Sequence, residues 1–73
     1  MAARNEVGTT EGIIVEVLPG ELYRVELREG RHIVANPSRT FRLRMTRLIP
    51  GVKVAVELSS YDQQRGRITN LAD

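Results

Sequence analysis

Val52, Val54, Val56 and Leu58 alternate with Lys53, Ala55 and Glu57 directly after Pro50-Gly51. A period of two built on β-branched residues marks a half-buried strand, because successive side chains point to opposite faces of a sheet. The pattern recurs after Pro19-Gly20 over Glu21 to Leu27, where Tyr23, Val25 and Leu27 oppose Leu22, Arg24 and Glu26. A chain of 73 residues buries only a small core, and with no cysteine it has neither a disulfide nor a thiolate-bound metal to reinforce it. It must close by pairing strands around an aliphatic centre.

Residues 1–8 mix charge, small residues and a glycine without periodicity and read as a flexible leader. Order is expected over 9–71, leaving 72–73 as a tail. Thr9 to Leu18 is rich in β-branched residues, with Ile13, Val15 and Val17 on one face and Gly12, Ile14, Glu16 and Leu18 on the other. Gly12 inside such a run suggests a bulge or sharp bend. Arg28-Glu29-Gly30 supplies a turn into a third strand, Arg31 to Asn36, with Ile33 and Ala35 opposing His32 and Val34. Pro37 ends that strand, and Ser38 is suited to cap a short helix with Phe41, Met45 and Leu48 on its apolar side. Phe41, Leu43 and Met45 also alternate with Arg42 and Arg44, so an extended link fits as well. A polar loop, Ser59 to Gly66, follows the fourth strand and leads to a last one, Arg67 to Leu71. Three meandering strands, a long helical or irregular link and two more strands predict an all-β, five-stranded Greek-key barrel of the oligonucleotide-binding type. An SH3-like barrel is the structural competitor, and the long third-to-fourth connection argues against it.

Charge is unevenly distributed. Arg31 to Arg47 holds five arginines and no carboxylate, whereas the thirty residues before it hold six glutamates against three arginines. Ten of the eleven basic residues are arginine, whose planar fork suits phosphate oxygens and stacks on bases, so nucleic acid is the expected partner. Arg39, Arg42, Arg44 and Arg47 in the link, with Arg65 and Arg67 around Gly66, are the candidate handles on a folded RNA. The three aromatics, Tyr23, Phe41 and Tyr61, are too few for a continuous stacking platform. Tyr23 reads as a core residue, while Phe41 and Tyr61 suit either core or binding. His32 reads as a structural strand residue and Asp62 as a loop former. With a single histidine, no carboxylate pair in an apolar setting, no metal-ligand spacing and no glycine-rich phosphate loop, neither an enzyme nor a cofactor is expected. No apolar run approaches the roughly 20 residues of a membrane span, and the first residues lack a signal-peptide core, so a cytoplasmic protein is expected.

Three stretches together resemble bacterial translation initiation factor 1: Gly12-Ile-Ile-Val-Glu-Val-Leu-Pro19; Tyr23-Arg-Val-Glu-Leu27 with Gly30; and Val54-Ala-Val-Glu-Leu-Ser-Ser-Tyr-Asp62 followed by Arg65-Gly-Arg-Ile68. The resemblance runs without a gap over about residues 9 to 69. It implies an S1-like oligonucleotide-binding barrel that occupies the aminoacyl (decoding) site of the small ribosomal subunit. There it would act as a monomer on 16S ribosomal RNA, together with the other initiation factors. By the same resemblance, Arg42 and Arg47 fall on basic positions of the family's link and Arg65 and Arg67 on its Lys-Gly-Arg element, and Arg24 and Tyr61 also match. The link departs from the family, with Asn36 for a histidine, Arg39 for a glycine and Met45 for a tyrosine, and the ending Asn70-Leu-Ala-Asp73 lacks the usual basic residues. Two other readings remain open. One is a cold-shock-type chaperone of single-stranded RNA, and the other is a protein-interaction module that docks through the basic link.

Overall fold

Five strands and one helical turn follow the order that the alternation suggests: β1 (Thr9–Leu18), β2 (Leu22–Leu27), β3 (His32–Pro37), α1 (Arg39–Arg42), β4 (Lys53–Leu58) and β5 (Arg65–Leu71). The computed structural model describes residues 9–59, 61–62 and 64–72, so the expected leader over 1–8 and the final Asp73 lie outside the described residues. The strands close in the order β1-β2-β3-β5-β4, with β4 pairing back onto β1. Every pairing is antiparallel except β3 with β5, where Val34 to Pro37 run alongside Arg65 to Ile68. A parallel pair needs a long crossover, here the path through the link and β4, which distinguishes this oligonucleotide-binding barrel from the SH3-like alternative.

The core is the inward set of the alternating strands. Ile14, Val25, Leu27, Ile33, Ala35, Val54, Val56 and Ile68 are buried together with Phe41 and Leu48 from the link, and Tyr23, Val52 and Leu58 pack against them. Phe41 is the largest fully buried side chain, so the link contributes to the barrel interior as well as connecting strands. Each β-branched or leucine side chain buried here contributes about 1.5–3 kcal/mol.

Two expectations are corrected. The bulge is not at Gly12: the β1–β2 register shifts between Ile14 and Glu16, so Val15 is the extra residue. Gly12 instead pairs with both Leu27 of β2 and Val54 of β4. A Cβ built there would lie 2.5 Å from Val25 Cγ1 and 2.9 Å from the Glu26 carbonyl oxygen, so glycine is required by the close approach of backbones. The second correction concerns the link. Ser38 does cap a helix, its Oγ accepting from the Phe41 N–H at 3.1 Å, but the helix lasts one turn. Met45 adopts φ 56°, a left-handed conformation that stops helical propagation, and stands 87% exposed instead of sharing an apolar side with Phe41. Leu43 is 78% exposed, so alternation does not describe the link either.

Candidate nucleic-acid interface

The outward faces of β2, β3 and β5 carry the first group of candidate side chains. Arg24 lies opposite Val34, and Val34 lies opposite Arg65, so the two arginines flank a valine on adjacent strands. One step along β5, Arg67 lies between Asn36 of β3 and Glu57 of β4. These residues open into a shallow groove lined by Asn36, Glu57, Leu58, Ser59, Tyr61, Arg65, Gly66 and Arg67. Gly66 forms its floor because the barrel leaves no space for a side chain: a Cβ would come within 2.7 Å of Val56 Cγ1.

Tyr61 is 98% exposed at the mouth of the groove. Ser59 Oγ accepts from the Tyr61 and Asp62 N–H groups, each at 3.1 Å, and Asp62 Oδ1 accepts from the Gln64 N–H at 3.0 Å. Asp62 is therefore the loop former that its residue type suggests. An exposed tyrosine offers a π-face on which a base can stack.

The link supplies the second group, over α1 and the turns after it. Arg42 Nη2 donates to Glu21 Oε1 at 2.8 Å, tying the link to the β1–β2 turn, where Glu21 itself has φ 61°. Arg44 Nη1 donates to Asn70 Oδ1 at 2.9 Å, and its guanidinium sits 5.6 Å from the centroid of the Phe41 ring. Arg24 Nε donates to Glu16 Oε1 at 3.0 Å across the β1 bulge. Arg39, Arg47, Arg65 and Arg67 are exposed and have no ion-pair partner among the described residues.

Tyr61, Arg65 and Arg67 thus line one groove, with Arg24 on β2, across β3 from Arg65, and Arg39 three positions beyond Asn36. Arg24 and Arg42 are held by glutamates, and Arg44 is held against the barrel. Five of the groove's lining residues were not candidates from the sequence, among them the polar pair Asn36 and Glu57. Alternation points both outward, but only the β3–β5–β4 pairing puts them on either side of Arg67. Phe41 belongs to the core, and Tyr23 packs against it. His32 is an exposed strand residue opposite Glu26, and among the described residues no group of three or more histidines or carboxylates is placed to hold a metal ion.

The sequence matches no protein-family model. The fold matches the solution structure of translation initiation factor 1 from the Wolbachia endosymbiont strain TRS of Brugia malayi, with a TM-score of 0.74 and 29% sequence identity, over 100% of this chain and 90% of that one. This chain is similar to translation initiation factor 1 along its whole length. The agreement extends the likeness seen in the strand motifs to the barrel as a whole. The crystal structure of YjeQ from Thermotoga maritima matches 89% of this chain and 23% of its own, with a TM-score of 0.70 and 24% identity. That likeness concerns the fold alone.

Proposed function

We propose that this protein acts as a translation initiation factor 1, a non-enzymatic monomer that binds the small ribosomal subunit at its decoding site by gripping 16S ribosomal RNA. The observation that carries the reading is the end-to-end structural match to that factor, with exposed arginines retained at both the link and the β5 hairpin. In this reading residues 9–71 act as one domain, with 1–8 as a leader and 72–73 as a tail. Arg39, Arg47, Arg65 and Arg67 take phosphate oxygens directly. Arg24 and Arg42 exchange a carboxylate for a phosphate, Arg44 braces the link, and Tyr61 offers a stacking face at the groove. Binding is by shape and charge, with affinity falling as salt rises. The protein works in the cytoplasm alongside the other initiation factors and needs no cofactor.

The cold-shock alternative needs several exposed aromatics on one face. Of the three aromatics, Phe41 is buried, Tyr23 packs on the core and Tyr61 alone stands in solvent, which favours folded RNA over a stacked single strand. Equilibrium binding to purified small ribosomal subunits, with a pyrimidine oligonucleotide and an acidic protein as competitors, tests the proposal. Tight, salt-sensitive binding that a large excess of oligonucleotide does not displace is expected. Equal affinity for the oligonucleotide would favour the chaperone reading, and displacement by the acidic protein alone would favour the interaction module.

A further inference from the structure

Arg44 is held differently from Arg24 and Arg42. Those two donate to glutamates, whereas Arg44 Nη1 donates to the neutral Asn70 Oδ1 at 2.9 Å and its guanidinium lies 5.6 Å from the Phe41 ring centroid. Asn70 Oδ1 is fixed in turn, since it also accepts from the Leu71 N–H at 3.1 Å. Phosphate competes with a carboxylate for an arginine because the two carry the same charge, so RNA has to break the Arg42 pair. The Asn70 tie occupies a single guanidinium N–H and cancels no charge, so it survives the approach of RNA. Among the described residues these are the only side-chain hydrogen bonds from the six link residues, 42 to 47, that lie between the buried Phe41 and Leu48. Met45, next in the chain, holds φ 56°, a conformation that a side-chain-bearing residue keeps only when its surroundings impose it. The Arg44 tie supplies part of that restraint. β5 thus grips the link twice, through the Ile68 carbonyl, which accepts from the Ser38 N–H at 2.8 Å, and through Asn70. The same strand carries Arg65 and Arg67 of the groove.

Resting on the RNA-binding reading above, we infer that Asn70 is a positioning residue for the interface. Through Arg44 it sets the shape of the exposed link before RNA arrives and keeps the link's arginines in a fixed relation to those of the β5 groove. Both ends of the tie lie where this sequence departs from the family pattern, in the link and in the ending that starts at Asn70, so the device belongs to this chain. Asn70 brings no charge, and it acts by raising the fraction of free chains whose link is already in the binding shape. Its contribution therefore does not depend on released counterions, in contrast to that of an arginine on a phosphate.

The test is a double-mutant cycle in the full chain, with Asn70→Ala, Arg44→Ala and the two together. Thermal melting should be unchanged by Asn70→Ala, because the side chain is exposed. In the free chain, hydrogen exchange at the Arg44 and Met45 amides, which donate to the Phe41 and Arg42 carbonyls, should quicken with Asn70→Ala. A rise of about two- to tenfold is expected from the loss of one exposed hydrogen bond. Asn70→Asp, which keeps the acceptor, should retain the slow exchange. Affinity of Asn70→Ala for small ribosomal subunits should fall by a similar factor, with the slope of log affinity against log salt kept. In the Arg44→Ala background the same substitution should cost nothing further. Unchanged subunit affinity, a shallower salt slope, or costs of the two substitutions that simply add would overturn the inference and leave the RNA-binding reading standing. Lower affinity with unchanged exchange would make Asn70 a direct RNA contact and overturn it too. No binding of the native chain or any variant to subunits would remove the RNA-binding reading and the inference with it.

Discussion

Arg42 and Arg47 lie in one link, yet the structure gives them different starting states, and this separates their expected effects. Arg42 is already committed to Glu21 at 2.8 Å, with the two side chains 53% and 58% exposed. Such an exposed pair is worth about 0–1 kcal/mol, and RNA must break it before Arg42 can meet a phosphate. Arg47 has no such partner among the described residues. If each makes one phosphate contact, either alanine substitution should reduce the salt slope by roughly 0.7–0.9. Arg47→Ala should nevertheless cost more affinity than Arg42→Ala, by a factor of up to about five, because the Arg42 contact is reduced by the pair it gives up. Glu21→Gln should then strengthen binding by up to about fivefold, with the slope unchanged or slightly steeper. Filter binding to small subunits over a range of potassium concentrations measures all three. A larger loss for Arg42→Ala than for Arg47→Ala, or weaker binding by Glu21→Gln, would refute the carboxylate-for-phosphate exchange and make the pair a scaffold that the complex retains.

Three further outcomes follow from the packing and the groove. Gly12→Ala places a methyl 2.5 Å from Val25 Cγ1 and should destabilise the barrel by about 1–3 kcal/mol despite the better strand residue, a loss read as a lower urea midpoint at constant m-value. Phe41→Ala empties the largest buried site and should cost about 3–5 kcal/mol. Against a total of roughly 4–11 kcal/mol for a chain of this size, thermal melting should show a fall of at least ~12 °C. Tyr61→Ala should leave melting unchanged, since the ring is 98% exposed, while weakening subunit binding by about 1–3 kcal/mol if the ring stacks on a base. Tyr61→Phe should retain most of that binding.

The strands were legible wherever one face is buried and the alternation is unbroken. In β4 and the residue before it the inward set Val52, Val54, Val56 and Leu58 is the set that the sequence pattern isolates, and β2 and β3 behave likewise. β1 was legible only as a strand. Its bulge at Val15 interrupts the period, so both faces look apolar and no local pattern says that Ile14 is inside while Ile13 is 40% exposed. The link failed for a different reason. Its apolar residues satisfy helical and extended spacing equally, and the outcome depends on Phe41 finding the barrel interior and Met45 turning left-handed, both tertiary events. Of the candidate site, the arginine positions were visible as composition. Their pairing state was not, because Glu16 meets Arg24 only through the bulged register and Glu21 meets Arg42 across 21 residues of sequence. The groove depends in the same way on the parallel β3–β5 contact, which brings Asn36 beside Arg67.

Chemical footprinting of small ribosomal subunits with and without the protein tests most directly whether its exposed arginines meet ribosomal RNA at one place. Protection confined to decoding-site nucleotides, lost when Arg47, Arg65 and Arg67 are replaced together by alanine, is the predicted result. Saturating protein that protects no nucleotide, or that protects sites scattered over the subunit and insensitive to those substitutions, would contradict it.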